Sequence, residues 1–248
     1  MITIKQGDCL ELMKDIPDKS IDMILCDLPY GTTRNKWDSI IPLDELWEQY
    51  ERIIKDNGCI ALFAQTPFDK VLGASNLKLL RYEWIWHKNK ATGFLNAKKM
   101  PLKEHENILV FYKKLPIYDP QGLIKKEKPT INKGNRGNKK EGAGGENYGK
   151  AIKDSLQEYE NYPKDILNFN VVMVPSHPTQ KPVELLEYLI KTYTNENETV
   201  LDNCMGSGST GVACQNSNRN FIGFELDKKY FEIAKERLGL NEEWEDDL

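Results

Sequence analysis

The sequence predicts a doubly wound, mainly parallel α/β sheet that carries an inserted segment. Three observations lead there. Along most of the 248 residues, short apolar runs alternate with segments of helical spacing, the pattern of a parallel sheet wrapped by helices. One apolar run, Ile21–Cys26, stops abruptly at a carboxylate in Asp27-Leu28-Pro29-Tyr30, and open α/β sheets place ligands at the carboxyl ends of their strands. Finally, the apolar segment 199–204 leads into a glycine loop and a helix, with an acid, Glu225, nineteen residues beyond Gly206.

In chain order, residues 2–5 read as a short strand ending at Gly7-Asp8, and 9–14 as a short helix closed by Pro17 and Asp18. The strand at 21–26 comes next. Pro29 has no backbone N–H for a neighbouring strand and pushes Leu28 into an extended conformation. Gly31 lets the chain turn away. An acid, free carbonyls and an aromatic ring would then stand together at a strand end. The alternative is a buried strand that merely ends in a Pro-Tyr turn. Leu43, Leu46, Trp47, Tyr50, Ile53 and Ile54 have helical spacing over 43–56, with Asn57-Gly58 as the stop. Residues 59–64 form a buried strand, a short helix follows Pro67, residues 82–88 alternate with period two, and 108–112 make another strand.

The texture then changes. Residues 113–164 hold twelve Lys and Arg, and the stretch 132–149 has six glycines among Asn, Lys and Glu. No periodic apolar face survives, which predicts a mobile loop at 132–149 within an insertion at 113–165. Residues 1–112 and 166–248 then form the main domain. Regular structure returns at 166–167 and 171–174. Pro182 suits the first position of a helix carrying Val183, Leu185, Leu186, Leu189 and Ile190. A strand at 199–204, a helix at 210–217, a strand at 220–226 and a helix at 228–238 complete the pattern. The tail from Asn241 has five acids and is expected to fray.

Composition excludes several function classes. The net charge of −4 argues against a uniformly basic nucleic-acid binder and leaves room for a local basic face. Five cysteines with no C-x-x-C pair, and three histidines, give neither a disulfide framework nor a metal site. There is no apolar signal core and no run of about 20 apolar residues, so the expectation is a cytoplasmic protein without membrane contact.

Gly206-Ser207-Gly208-Ser209-Thr210-Gly211 fits G-x-G-x-x-G after a strand and before a helix, the setting of a nucleotide site whose ribose hydroxyls Glu225 could accept. A nicotinamide-dependent oxidoreductase is one reading. Against it, Asp202 would repel a pyrophosphate and suits a cationic ligand, and little sequence follows to build a second nucleotide half.

Asp27-Leu28-Pro29-Tyr30 resembles the D-P-P-Y motif of amino-group DNA methyltransferases. Thr199-Val200-Leu201-Asp202 with Met205–Thr210 resembles their S-adenosylmethionine loop, and His177-Pro178-Thr179-Gln180-Lys181-Pro182 resembles the segment before that loop. The order, catalytic motif first and cofactor motif last, is that of the β class. The resemblance spans the chain except roughly 113–165, where these families keep a variable target-recognition region. It implies a Rossmann-like methyltransferase sheet. It also implies methyl transfer from S-adenosylmethionine to the N6 amino group of an adenine flipped out of double-stranded DNA. Cytosine N4 is the alternative, and Asp rather than Ser at the first motif position favours adenine. A DNA-binding module without catalysis would be expected to have lost Asp27, Pro29 or Tyr30.

By the same resemblance, Asp27 and the Leu28 carbonyl would hold the amino group, Pro29 would shape the turn, and Tyr30 would stack on the base. Leu28 departs from the usual Pro. The cofactor would be held by Asp202, Cys204, Met205, Gly206, Gly208, Ser209, Thr210 and Glu225, with Thr179 and Lys181 near its carboxylate. In the circular order the strand after Glu225 would be residues 2–5, bringing Asp8 and Cys9 beside the adenine. Asp8 could equally cap the helix at 9–14. Phe63, Trp84 and Trp86 read as packing, with Trp86 or His87 as alternatives for the base pocket. Lys88, Lys98, Lys99 and Lys103 read either as phosphate contacts or as a solvated face. A homodimer and a cognate restriction endonuclease are candidate partners.

Overall fold

The structure, a computed structural model, describes residues 1–31, 40–132, 154–175 and 180–240. The expectations for Thr179, for the tail from Asn241 and, apart from Asn132, for the loop at 132–149 lie outside these residues. Along the chain run β1 (Ile2–Gln6), α1 (Cys9–Met13), β2 (Ile21–Asp27), α2 (Leu43–Ile53), β3 (Ile54–Ala64), α3 (Phe68–Ser75), β4 (Leu80–Thr92) and β5 (Lys103–Phe111). There follow β6 (Ile124–Asn132), β7 (Ser155–Glu160), β8 (Ile166–Asn168), α4 (Val183–Tyr193), β9 (Thr199–Asp202), α5 (Ser209–Asn216), β10 (Asn220–Glu225) and α6 (Lys228–Arg237).

Eight strands form one sheet in the order β1-β10-β9-β2-β3-β5-β4-β8. Only β5 runs against its neighbours β3 and β4; the other pairs are parallel. The sheet is therefore mixed and mainly parallel, the predicted class. Both faces are covered. Met23, Leu25, Cys59, Ala61 and Phe63 pack with α4, α5 and α6, while Ile24, Cys26, Ile60 and Leu62 pack with α2 and α3. Strands buried on both faces explain the continuous apolar runs at 21–26 and 59–64.

The first strand lies where the circular order expects it. β1 pairs in parallel with β10, from Ile2 opposite Phe221 to Gln6 opposite Glu225. The Gly7 N–H donates to the Glu225 carbonyl at 3.0 Å, so the turn into α1 begins beside that acid.

Several elements differ from the sequence reading. The helix at 43 ends at Ile53 and β3 starts at once from Ile54, so Asn57-Gly58 lies inside a strand. The register with β2 shifts there, and a Cβ on Gly58 would stand 2.8 Å from the Asp22 carbonyl oxygen. The glycine thus serves a close strand approach rather than a helix stop. Residues 171–174 form no strand, and Met173 and Val174 are exposed. Pro182 is the cap before α4 rather than its first residue. Trp84 pairs with Ile108 in a long antiparallel ladder, which extends β4 and β5 past their apolar cores.

The chain divides into two compact units, Met1–Asp119 with Asp165–Leu248, and Pro120–Lys164. The second contains an antiparallel pair, with Ile124 opposite Glu160 and Ile131 opposite Leu156 in β6 and β7. The sequence reading has no regular structure there. Ile124, Ile131 and Leu156 are exposed, so no buried face exists to impose an apolar period. Among the described residues no helix is long and apolar enough to cross a membrane, and no cluster of His, Cys, Asp and Glu could hold a metal.

Candidate active site

The site follows from side-chain parity on the sheet. Successive residues of β2 face opposite sides, so Asp27 points to the same side as Met23 and Leu25, toward α4, α5 and α6. Phe63 on β3, Trp84 and Trp86 on β4, and Ile108 on β5 share that face. Continuing the period adds Lys88 and Glu106, both buried. A cavity of about 370 Å³ opens at this end of the strands. Of the described residues expected at the site, all but Gly208 line it.

At one end of the cavity lies a chain of alternating charges. The Lys181 ammonium bonds Asp27 Oδ2 and stands 3.5 Å from Glu106 Oε2. Glu106 Oε1 accepts from Lys88 Nζ at 2.5 Å and from Gln65 Nε2 at 2.9 Å. The Tyr30 hydroxyl donates to Asp27 Oδ1 at 2.7 Å, and its ring stacks on Phe68 with centroids 5.2 Å apart. Burial pushes the Asp27 carboxyl up despite the opposing Lys181, and nearby Glu106 adds to the rise. Burial acts the same way on Glu106, but the ammonium groups of Lys181 and Lys88 outweigh it and hold that carboxyl below its ordinary value. Lys181, expected toward a cofactor carboxylate, instead has its charge engaged by two acids. Lys88, read as a phosphate contact or a solvated lysine, is buried against Glu106 and lies over the Trp86 ring at 4.7 Å.

At the other end, β9, its loop and β10 supply two more acids. Asp202 Oδ2 accepts from the Thr210 hydroxyl at 2.6 Å and Oδ1 from the Cys204 N–H at 3.1 Å. Burial raises its pKa to about 6. Glu225 accepts from the Gly206 N–H and the Asp227 N–H, each at 2.8 Å. Both acids therefore shape the loop while facing the cavity. Gly208 has φ +77° and precedes α5 in the left-handed conformation, which a glycine adopts without strain. Asp8 Oδ1 accepts from the Leu10 N–H at 2.8 Å, so it caps α1 while lining the cavity.

Leu28 is buried in the α2/α3 core, which gives its side chain a packing role where the D-P-P-Y motif that it resembles has Pro. Trp86 donates to the Phe169 carbonyl at 2.8 Å, and His87 faces Asn168 at 2.8 Å; neither lines the cavity. Sequence reasoning missed Glu106, Gln65 and Asn203, whose amide oxygen accepts from the buried Tyr50 hydroxyl at 2.5 Å. The period-two pattern through Ile108 and Val110 carries a signal for Glu106, since it sets that acid on the inward face.

A family model described as DNA methylase matches residues 21–236, most of the chain. Type II methyltransferase M.BglII of Bacillus subtilis is 29% identical over 265 residues, covering 95% of this chain and 68% of that protein. DNA adenine methyltransferase YhdJ of Escherichia coli K12 is 27% identical over 259 residues, covering 95% and 82%. Among solved structures, the M1.HpyAVI–SAM complex superposes with a TM-score of 0.66 at 27% identity, over 96% of this chain and 100% of that one.

Proposed function

The chain belongs to the family of N6/N4 DNA methylases, and from that premise we propose that it methylates the N6 amino group of an adenine in duplex DNA, with S-adenosylmethionine as methyl donor. The observation that carries this reading is Asp27, an acid at a strand end that opens into the same cavity as Asp202 and Glu225. The family leaves no place for the nicotinamide reading of residues 206–211.

The cavity suits the donor. Its described lining has the carboxyls of Asp202 and Glu225 and, as its only lysine or arginine, Lys181, which is already paired. A cationic nucleoside fits that set better than a pyrophosphate does. Asp202 and Glu225 would hold its charged and ribose ends, and Asp8 its adenine. S-adenosylmethionine supplies an electrophilic methyl group on a positively charged sulfur.

The remaining work belongs to the protein. An exocyclic amino nitrogen is a poor nucleophile because its lone pair is delocalised into the ring. Asp27 and the Leu28 carbonyl would accept its two N–H bonds and aim the lone pair, a positioning effect of several kcal/mol. The Asp27 charge would favour the developing ammonium, and Asp27 Oδ2 would take the released proton. The target base must leave the duplex. Tyr30, backed by Phe68, would give it a fixed platform worth roughly 1–3 kcal/mol. Residues 113–165 would read the DNA sequence.

Purified protein should transfer labelled methyl groups to unmethylated DNA, and digestion to nucleosides should yield N6-methyl-2′-deoxyadenosine. Asp27→Ala should lower transfer at least a thousandfold with cofactor binding retained. N4-methyl-2′-deoxycytidine in the digest would overturn the base assignment, and full activity in the variant would overturn the role of Asp27.

A further inference from the structure

Lys181 occupies one acceptor site of Asp27 Oδ2, and its positive charge there opposes the ammonium that develops on a substrate amino group bound to the same oxygen. The ammonium therefore needs somewhere else to go. Glu106 has one oxygen filled by Lys88 and Gln65. Its other oxygen, Oε2, is buried and has no hydrogen bond among the described residues, and Lys181 Nζ already stands 3.5 Å from it. A buried carboxylate oxygen whose nearest donor is an ammonium at the limit of hydrogen-bond reach is rare in folded proteins and calls for an explanation. The Lys181 ammonium also lies over the Phe63 ring, 5.0 Å from its centroid, which sets it between the two acids.

We infer that Glu106 is a positioning residue that takes the Lys181 ammonium from Asp27 when the target base enters, freeing Asp27 Oδ2 for the base's amino group. The inference rests on the methyl-transfer reading above. Lys88 supports Glu106 in this role. Together with the stronger pull of Lys181, it holds the buried Glu106 carboxyl below its ordinary value, so Glu106 can pair with both ammonium groups. Transfer of Lys181 keeps its existing ion pair with Glu106 and leaves Tyr30 on Oδ1 as the fixed partner of Asp27.

The test compares Glu106→Gln, Lys181→Gln and the double variant, using methyl transfer to unmethylated plasmid DNA and calorimetric cofactor binding. Glu106→Gln keeps an acceptor for Lys88 and Gln65 and removes only the charge. It should lower kcat ten- to a hundredfold with cofactor affinity within twofold of wild type. In the Lys181→Gln background the same change should cost less than twofold, because no ammonium remains to be moved. The pH profile separates this from a packing defect. Facing Asp27 are Lys181 before α4, Glu106 on β5 and Tyr30 after β2, with Asp202 on β9 beyond them and Cys26 adjacent along β2. Removing the negative Glu106 should move the acid limb of kcat to lower pH, and removing the positive Lys181 should move it to higher pH. Wild-type kcat in Glu106→Gln, losses that multiply in the double variant, or acid limbs that stay put would overturn the inference. Absence of transfer by the wild-type protein would overturn the methyl-transfer reading and this inference together.

Discussion

Asp202 shows how one side chain can serve both fold and ligand at a cost that pH reveals. Burial raises its pKa to about 6, against 3.8 for the free side chain, even though Thr210 and the Cys204 N–H pull the other way. A carboxyl with a raised pKa keeps, in the folded state, a proton that the unfolded chain releases. Its contribution is present in full below the unfolded pKa and is lost as pH rises through the folded one, so the window runs from about pH 4 to pH 6. A shift of this size corresponds to about 3 kcal/mol. Asp202→Asn cannot ionise, so urea unfolding should show the variant gaining about 3 kcal/mol relative to wild type between pH 4 and pH 7. A constant difference across that range would mean that Asp202 titrates normally. At this scale the sequence is uneven in what it reveals. Asp27 is legible because it interrupts an apolar run. Glu106 is not, because parity says which way it faces but not which ammonium it meets. Lys181 is legible as a site residue, yet its partners come from β2 and β5, 154 residues away in the case of Asp27.

The glycine loop is legible as an element because strand, loop and helix are contiguous in sequence, and its third glycine has a packing reason. A Cβ on Gly211 in α5 would lie 2.8 Å from Leu238 Cδ2 and 2.9 Å from the Phe221 ring. The helix can approach β10 and the end of α6 that closely only without a side chain there. Gly211→Ala should therefore destabilise the protein by roughly 1–3 kcal/mol through overpacking. Gly73 in α3 is the matching control, since its Cβ would meet Leu80 and Leu109 at 3.6 and 3.7 Å, an ordinary contact. Gly73→Ala should be neutral or stabilising by up to ~1 kcal/mol through helix propensity. Chemical unfolding of both variants checks the pair, and equal effects would refute the packing argument. Elements without such contiguity are the ones misread. Residues 171–174 have the apolar composition of a strand but do not form one. β6 and β7 pair with each other across a long intervening segment and bury no face. The Ile53–Ile54 boundary is hidden because both residues are buried and apolar, whether in a helix or in a strand.

For the molecule as a whole, the circular order is the most informative long-range feature of the sequence. β1 completes the sheet beside β10, so the first and last strands together form the wall of the cavity that carries Asp8 and Glu225. Charge is also divided over the chain. Residues 120–164 hold ten basic and six acidic side chains, a net charge of +4 within a chain of net −4. A polyanion such as DNA would be drawn to that unit and repelled by the remainder. On β6, Lys125 and Lys128 are exposed and unburdened by any requirement of the core. Each phosphate that such a lysine neutralises releases counterions, which contributes about one unit to the slope of log affinity against log salt. Replacing Lys125 and Lys128 together with Gln should weaken DNA binding across all sequences and reduce that slope by up to about two units. Cofactor affinity should not change, because neither lysine lines the cavity. Filter binding or fluorescence anisotropy between 50 and 200 mM salt, about the range over which such slopes are read, measures the effect. An unchanged slope would place the phosphate contacts elsewhere and remove β6 from the DNA interface.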